Sequence, residues 1–144
     1  MDMAIVVSDF NHGVTSRMLR VAMERARLLG IRVVHTSHVP GAYDMPLVVD
    51  HLLTKSNVEA VAVLGAIIRG QTKHDEVIAG AVCHKLTDLA VQHKKPVSLG
   101  ITGPGMTERQ AYARIRPVAE RAVESAARVL EEIERIDMIG SESA

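Results

Sequence analysis

The stretch EAVAVLGAIIRGQTKHDE, residues 59–76, decides the fold. Its first six residues form a short apolar run with β-branched valines, which reads as a buried strand. A loop follows over residues 65–74. Asp75 and Glu76 then open a helical segment that continues to His93, two acids in a first turn favourable to the helix dipole. Working outward, the same strand–loop–helix unit recurs. Residues 3–8 (MAIVVS) read as a strand ended by the loop 9–13, and residues 14–29 as a helix that is apolar on one face apart from Arg25 and stops at Gly30. Residues 31–39 are β-branched again and break at Pro40-Gly41. Pro46 opens a helix in its first turn that runs to about Lys55, with Asp44 just ahead as a candidate cap. Residues 96–101 make the fourth strand and residues 102–106 its loop. Thr107 and Gln110 form a capping-box signature for a last helix that reaches about Ile136.

Four continuously apolar strands alternating with four helices predict a parallel sheet covered on both faces by right-handed crossovers. The expected fold class is α/β, a flavodoxin-like three-layer α/β/α sandwich with a four-stranded parallel sheet. In such sheets ligands bind outside the carboxyl ends of the strands.

Composition narrows the function classes. A chain of 144 residues is expected to be one domain over 1–144, with a flexible tail from about residue 137. Hydrophobic residues at 47% and charged ones at 24% exclude intrinsic disorder. Lys+Arg 17 balances Asp+Glu 17, without the basic surplus of a nucleic-acid coat or an acidic-membrane binder, so neither partner is expected. The apolar stretch 58–68 is too short to span a bilayer, and the first residues lack the basic region of a secretion signal. Cys83 alone excludes an internal disulfide and fits a reducing compartment, so a cytoplasmic location is expected. In mid-helix among apolar neighbours, Cys83 reads as a core thiol. The aromatics are only Phe10, Tyr43 and Tyr112, so the core must be aliphatic and alanine-rich.

Phe10 and Tyr43 both lie in the loops that follow strands. So do Gly13, Gly41, Gly65, Gly70, Gly103 and Gly105. Rare rings and permissive backbone thus concentrate on one edge, although any strand-to-helix loop holds glycines and an occasional ring. The loop 65–74 is long for its type, commonly ~2–6 residues, and places Gly70, Gln71 and Thr72 just before a helix N-terminus. That arrangement suits phosphate but matches no nucleotide-binding motif. His74 reads either as a proton shuttle, a role suited to an imidazole, or as a surface cap. Asp44 reads as a polyol acceptor or a helix cap. Arg114 and Arg121 lie seven residues apart and share a face if the last helix is continuous, but Pro117 should kink it between them. Either arginine suits phosphate or a surface ion pair. No histidine pair has metal-site spacing, and no metal is expected.

At these loops the sequence resembles the 6,7-dimethyl-8-ribityllumazine synthase family. The matching pieces are Asp9-Phe10-Asn11, the run from Val39 to Pro46 (VPGAYDMP), the run from Gly65 to Asp75, and Pro96-Val97 with Gly100-Ile101. Order and spacing fit from Ile5 to about Ile133. The resemblance implies a transferase of riboflavin biosynthesis that needs no cofactor. It condenses 5-amino-6-(D-ribitylamino)uracil with 3,4-dihydroxy-2-butanone 4-phosphate, releasing phosphate and water. It implies that Phe10 stacks on the pyrimidine with Asn11 beside it, and that Gly41, Ala42 and Asp44 hold the ribityl chain. Ala66, Ile67 and Ile68 would offer backbone groups to the ring. Gln71, Thr72 and Arg114 would meet the phosphate, and His74 would shuttle protons. A homo-oligomer is implied too, a pentamer or a shell of pentamers with sites shared between neighbours.

Some positions depart from the family pattern. Tyr43-Asp44 stands where Phe-Glu is frequent. Leu99 replaces a ring that reaches the substrate from the neighbouring subunit. Arg121 is one position out of register with a second basic residue, and the N-terminal strand that some members add is not seen. The spacing of Ala119, Ala122 and Ala126 gives modest support to association, because small residues let helices approach closely. Two other readings stay open: a pentameric riboflavin synthase paralogue, and a non-catalytic flavin- or lumazine-binding protein.

Overall fold

The computed structural model describes residues 1–68 and 74–140. Strand β1 (Asp2–Ser8) leads to helix α1 (His12–Leu28), and β2 (Arg32–Val39) to a 3₁₀ turn (Ala42–Asp44) and α2 (Met45–Leu53). Strand β3 (Ala60–Ile68) is followed by α3 (His74–His93), and β4 (Val97–Met106) by α4 (Glu108–Ala113) and α5 (Ile115–Asp137). The sheet order is β2-β1-β3-β4 and every pairing is parallel. Placing β1 and β3 at the centre explains their unbroken apolar runs, since each is buried on both faces.

Alternation along the strands sorts the core into two layers. Met3, Ile5, Val7, Ala62 and Leu64 meet Ala22 and Ala26 of α1 and Ala119, Ala122 and Val123 of α5. Ala4, Val6, Val61 and Val63 meet Met45, Val49 and Leu53 of α2 and Val82, Leu86 and Leu89 of α3. All three rings stay outside, so the core is aliphatic as composition requires. Arg25, the exception on the apolar face of α1, bridges to α5: its guanidinium lies 2.6 Å from Glu124 and 3.6 Å from Glu120. Gly100 lets α5 sit close on β4. A Cβ there would lie 2.6 Å from the Val63 carbonyl and 2.9 Å from Ala122 Cβ.

Several expectations are corrected. Strand β3 runs through Gly65 to Ile68, shortening the expected 65–74 loop, because Gly65, Ala66 and Ile68 pair with Ile101, Thr102 and Met106. Residues 102–106 likewise belong to β4, as an irregular stretch in which four steps on β4 match two on β3. The last helix divides at Arg114, ahead of Pro117. Pro117 falls in the first turn of α5, where its missing N–H leaves no helical bond unmade. Arg114 and Arg121 therefore do not share one continuous helix. Thr107 and Gln110 do form the reciprocal capping box, with bonds of 3.1 and 2.9 Å. Ala119, Ala122 and Ala126 are buried within the chain, so their spacing serves the α5–sheet contact and gives association no support. Cys83 is half-buried rather than a core thiol, and burial pushes its thiol pKa up. Of the expected flexible tail, α5 ends at Asp137, and residues 141–144 lie outside the described residues.

Candidate functional site

The carboxyl ends of β1, β2 and β3 converge, and main-chain bonds extend the sheet past its last rungs. The Asp9 N–H donates to the Val39 carbonyl at 2.7 Å and the Phe10 N–H to the Pro40 carbonyl at 2.9 Å. These two bonds fix Phe10 beside the Pro40-Gly41-Ala42 turn. From there its ring projects outward, 70% exposed, the reverse of what an only phenylalanine does in a core. Tyr43, 68% exposed, occupies the same edge.

Asp44 is exposed, and its Oδ2 accepts from the Gly41 N–H at 3.0 Å. It makes no side-chain cap on α2. The cap reading therefore gives way to a carboxylate that closes its own turn and still faces solvent. Ala42 is buried beneath it.

Asn11 joins this pair of loops to β3. Its backbone is left-handed, with φ 62° and ψ 47°. Its carbonyl accepts from the Val14 and Thr15 N–H groups at 2.9 and 3.1 Å, which starts α1. Its side-chain Nδ2 donates to the Ala66 carbonyl at 2.8 Å. Ala66 and Ile67 are buried and Ile68 half-buried, so this strand end offers main chain rather than side chain to anything above it.

The other expected residues fall as follows. His74 is the first residue of α3 and is exposed. Gln71 and Thr72 lie outside the described residues. Arg114 sits at the break between α4 and α5, exposed, with its N–H donating to Gln110 and Ala111 carbonyls at 3.2 Å each. Leu99 is not brought to the others. It lies on the edge strand β4 in register with Val63 and is 50% exposed. Two strand spacings, about 10 Å, separate it from β1.

Two features of this edge were not read from the sequence. His38 Nδ1 lies 3.4 Å from Asp9 Oδ1, which ties the ends of β1 and β2 a second time. Arg17 lies over the Tyr112 ring at 5.3 Å from its centre and donates to the Gly13 carbonyl at 2.8 Å, joining the start of α1 to α4. The signal for the first was the placing of Asp9 at the start of its loop and of His38 next to the end of its strand. Nothing in the spacing announced the second. Among the described residues no group of three His, Cys, Asp or Glu side chains could hold a metal ion, and no helix is long and apolar enough to cross a membrane. A hollow of about 670 Å³ along α5, lined by Arg128, Glu132 and Ile136 among others, contains none of the expected residues.

Hydrogen bonds join the Phe10 loop, the turn over residues 40–44 and the Ala66 end of β3 into one edge, while His74 and Arg114 lie exposed at the start of α3 and at the α4–α5 break. The comparisons with known proteins agree on what such a chain resembles. Residues 1–136 match the family model described as 6,7-dimethyl-8-ribityllumazine synthase. A curated protein of that name from Sulfolobus acidocaldarius is 44% identical over 135 residues, covering 94% of this chain and 85% of its own. One from Staphylothermus marinus is 47% identical over 126 residues, covering 88% and 84%. A third, from Saccharolobus solfataricus, is 44% identical and covers 94% and 88%.

Proposed function

The chain belongs to the 6,7-dimethyl-8-ribityllumazine synthase family, and we propose that it carries out the reaction of that name in riboflavin biosynthesis. As a transferase it condenses 5-amino-6-(D-ribitylamino)uracil with 3,4-dihydroxy-2-butanone 4-phosphate, with release of phosphate and water and without a cofactor. The observation that supports this best is the cross-tied edge, where Phe10, Asp44 and the 66–68 strand end are held together by the bonds from Asp9, Phe10 and Asn11.

Each group has work suited to its chemistry. The Phe10 ring stacks on the pyrimidine, whose edge is read by main-chain groups at Ala66, Ile67 and Ile68. The Asp44 carboxylate accepts from ribityl hydroxyls beside Gly41 and Ala42. Arg114, with Gln71 and Thr72, holds the phosphate of the second substrate, the planar guanidinium suiting an oxyanion. Amine attack on the ketone, loss of phosphate and ring closure all move protons between nitrogen, carbon and oxygen. His74 relays them, since an imidazole can both accept a proton and give one up. Much of the remaining acceleration comes from holding two substrates in reacting geometry.

Half-exposed Leu99, remote from its own chain's Phe10, is consistent with a site completed by a neighbour. The assembly is a homo-oligomer, a pentamer or a shell of pentamers, located in the cytoplasm. A steady-state assay following lumazine and phosphate, with each substrate omitted in turn, tests the reading. Product must form only when both are present. Riboflavin formed from lumazine alone, or ligand binding with no turnover, would overturn it.

A further inference from the structure

We propose that Asn11 is a positioning residue that sets the pyrimidine slot through the Ala66 carbonyl, rather than by contact with substrate; this rests on the function proposed above. The last rung between β1 and β3 pairs Val7 with Leu64. Two residues further on, at Ala66, β1 has already turned away into its loop. The Asn11 amide occupies the place a further rung would take and satisfies the Ala66 carbonyl at 2.8 Å. Ala66 is 4% exposed, so without that donor its carbonyl would be left buried and without this partner.

The other side of this segment is fixed by main chain. Ala66 pairs with Thr102 and Ile68 with Met106. Between them, Gly103 (φ 100°) abuts the Ile67 carbonyl so closely that a Cβ would not fit. The strand end that reads the ring is thus clamped from both flanks, and on the β1 flank the clamp is one side chain. Asn11 is also the residue bonded to Phe10. One hydrogen bond therefore relates the ring that covers the substrate to the backbone that reads its edge. The position requires an unusual residue on two counts. It must accept left-handed backbone, which Asn and Asp tolerate better than other non-glycine residues, and it must donate to a carbonyl, which Asp cannot do when ionised.

Those two demands can be separated by substitution. Asn11→Gly keeps the backbone conformation and removes the donor. Asn11→Asp keeps size and backbone tolerance but sets a carboxylate against a carbonyl. Hydrogen–deuterium exchange of peptides covering residues 64–68 in the ligand-free protein reads the clamp directly. Titration with the ribitylaminopyrimidine alone reads the slot without needing turnover. Expected for both variants are exchange about tenfold faster over 64–68, a pyrimidine Kd and KM raised about tenfold, and a butanone-phosphate KM within about twofold of the parent. Pyrimidine affinity lost with exchange unchanged would make Asn11 a direct ligand and overturn the proposal. Faster exchange with unchanged pyrimidine affinity would make it a merely structural tie and overturn it equally, as would an Asn11→Asp variant that behaves like the parent. If the parent protein makes no lumazine, the functional reading fails, while the exchange and titration results still decide the role of Asn11.

Discussion

Replacing Phe10 with alanine separates binding from stability more cleanly than any other change to this site. A fully buried phenylalanine contributes roughly 1.5–3 kcal/mol to folding. With 70% of Phe10 already exposed, less than a third of that is at stake, so Phe10→Ala should cost less than about 1 kcal/mol of stability. For a chain of this size that is a fall in Tm of under about 4 °C. Stacking of a ring on a nucleobase-like plane is worth ~1–3 kcal/mol by alanine substitution. The pyrimidine Kd should therefore rise between about fivefold and a hundredfold or more. Titration calorimetry with the ribitylaminopyrimidine and a thermal melt on the same preparation make the comparison. Because the Phe10 N–H bonds to the Pro40 carbonyl through main chain, alanine keeps the loop in place and the measurement reports the ring alone. A large loss of Tm with unaltered affinity would refute the reasoning, since the ring would then serve a hydrophobic contact and not the ligand.

Removing the imidazole in His74→Ala should lower turnover by roughly ten- to a thousandfold while leaving pyrimidine affinity within about twofold; an unchanged rate would end the relay role. Arg114→Ala should raise KM chiefly for the phosphate-bearing substrate, and equal effects on both substrates would count against phosphate recognition. Gly100→Ala forces a Cβ against the Val63 carbonyl at 2.6 Å, a main-chain atom that cannot swing aside; it should destabilise by about 1–3 kcal/mol in a denaturant titration. Burial raises the Cys83 thiol pKa, which lowers the thiolate fraction at any given pH near neutrality. Iodoacetamide should then label Cys83 several-fold more slowly than a free thiol, and labelling at or above the free rate would contradict the burial.

The alternation of strand and helix was legible because each strand is a run of aliphatic residues and each helix begins or ends on a recognisable residue, as Gly30 and Thr107 do. What misled was glycine. Gly65 reads as the end of a strand, yet it lies inside β3, where a Cβ would come within 3.1 Å of Met45 Cε and Ser8 Oγ. That need is created by packing from two other elements, and local sequence carries no trace of it. The division of the last helix at Arg114 was equally hidden. Arg114, Ile115 and Arg116 give no stop signal, and the proline nearby belongs to the beginning of α5 rather than to a kink. For the candidate site, residue types in loops pointed to the carboxyl edge of the sheet, where Phe10, Tyr43 and Asp44 lie exposed. Which atoms meet there did not follow, because the Asn11–Ala66 bond spans 55 positions and the His38–Asp9 contact 29.

Stability and recognition are carried by different parts of this chain, and the scarcity of aromatic residues shows the division. Two packed layers of alanine, valine, isoleucine, leucine and methionine fill the space around the sheet without a single ring. A ring left in solvent forfeits most of the free energy its burial would supply, so a chain with one phenylalanine that keeps it 70% exposed gains little from it in folding. Under the proposed function, the exposed ring serves to stack on the pyrimidine. The holding of the ring is likewise separate from the core: Phe10 is positioned by hydrogen bonds to Pro40 and, through Asn11, to Ala66. Changes at Gly100 should therefore shift the melting curve and leave the surviving folded protein competent. Changes at Phe10 should leave the melting curve nearly in place and alter what the edge of the sheet can hold.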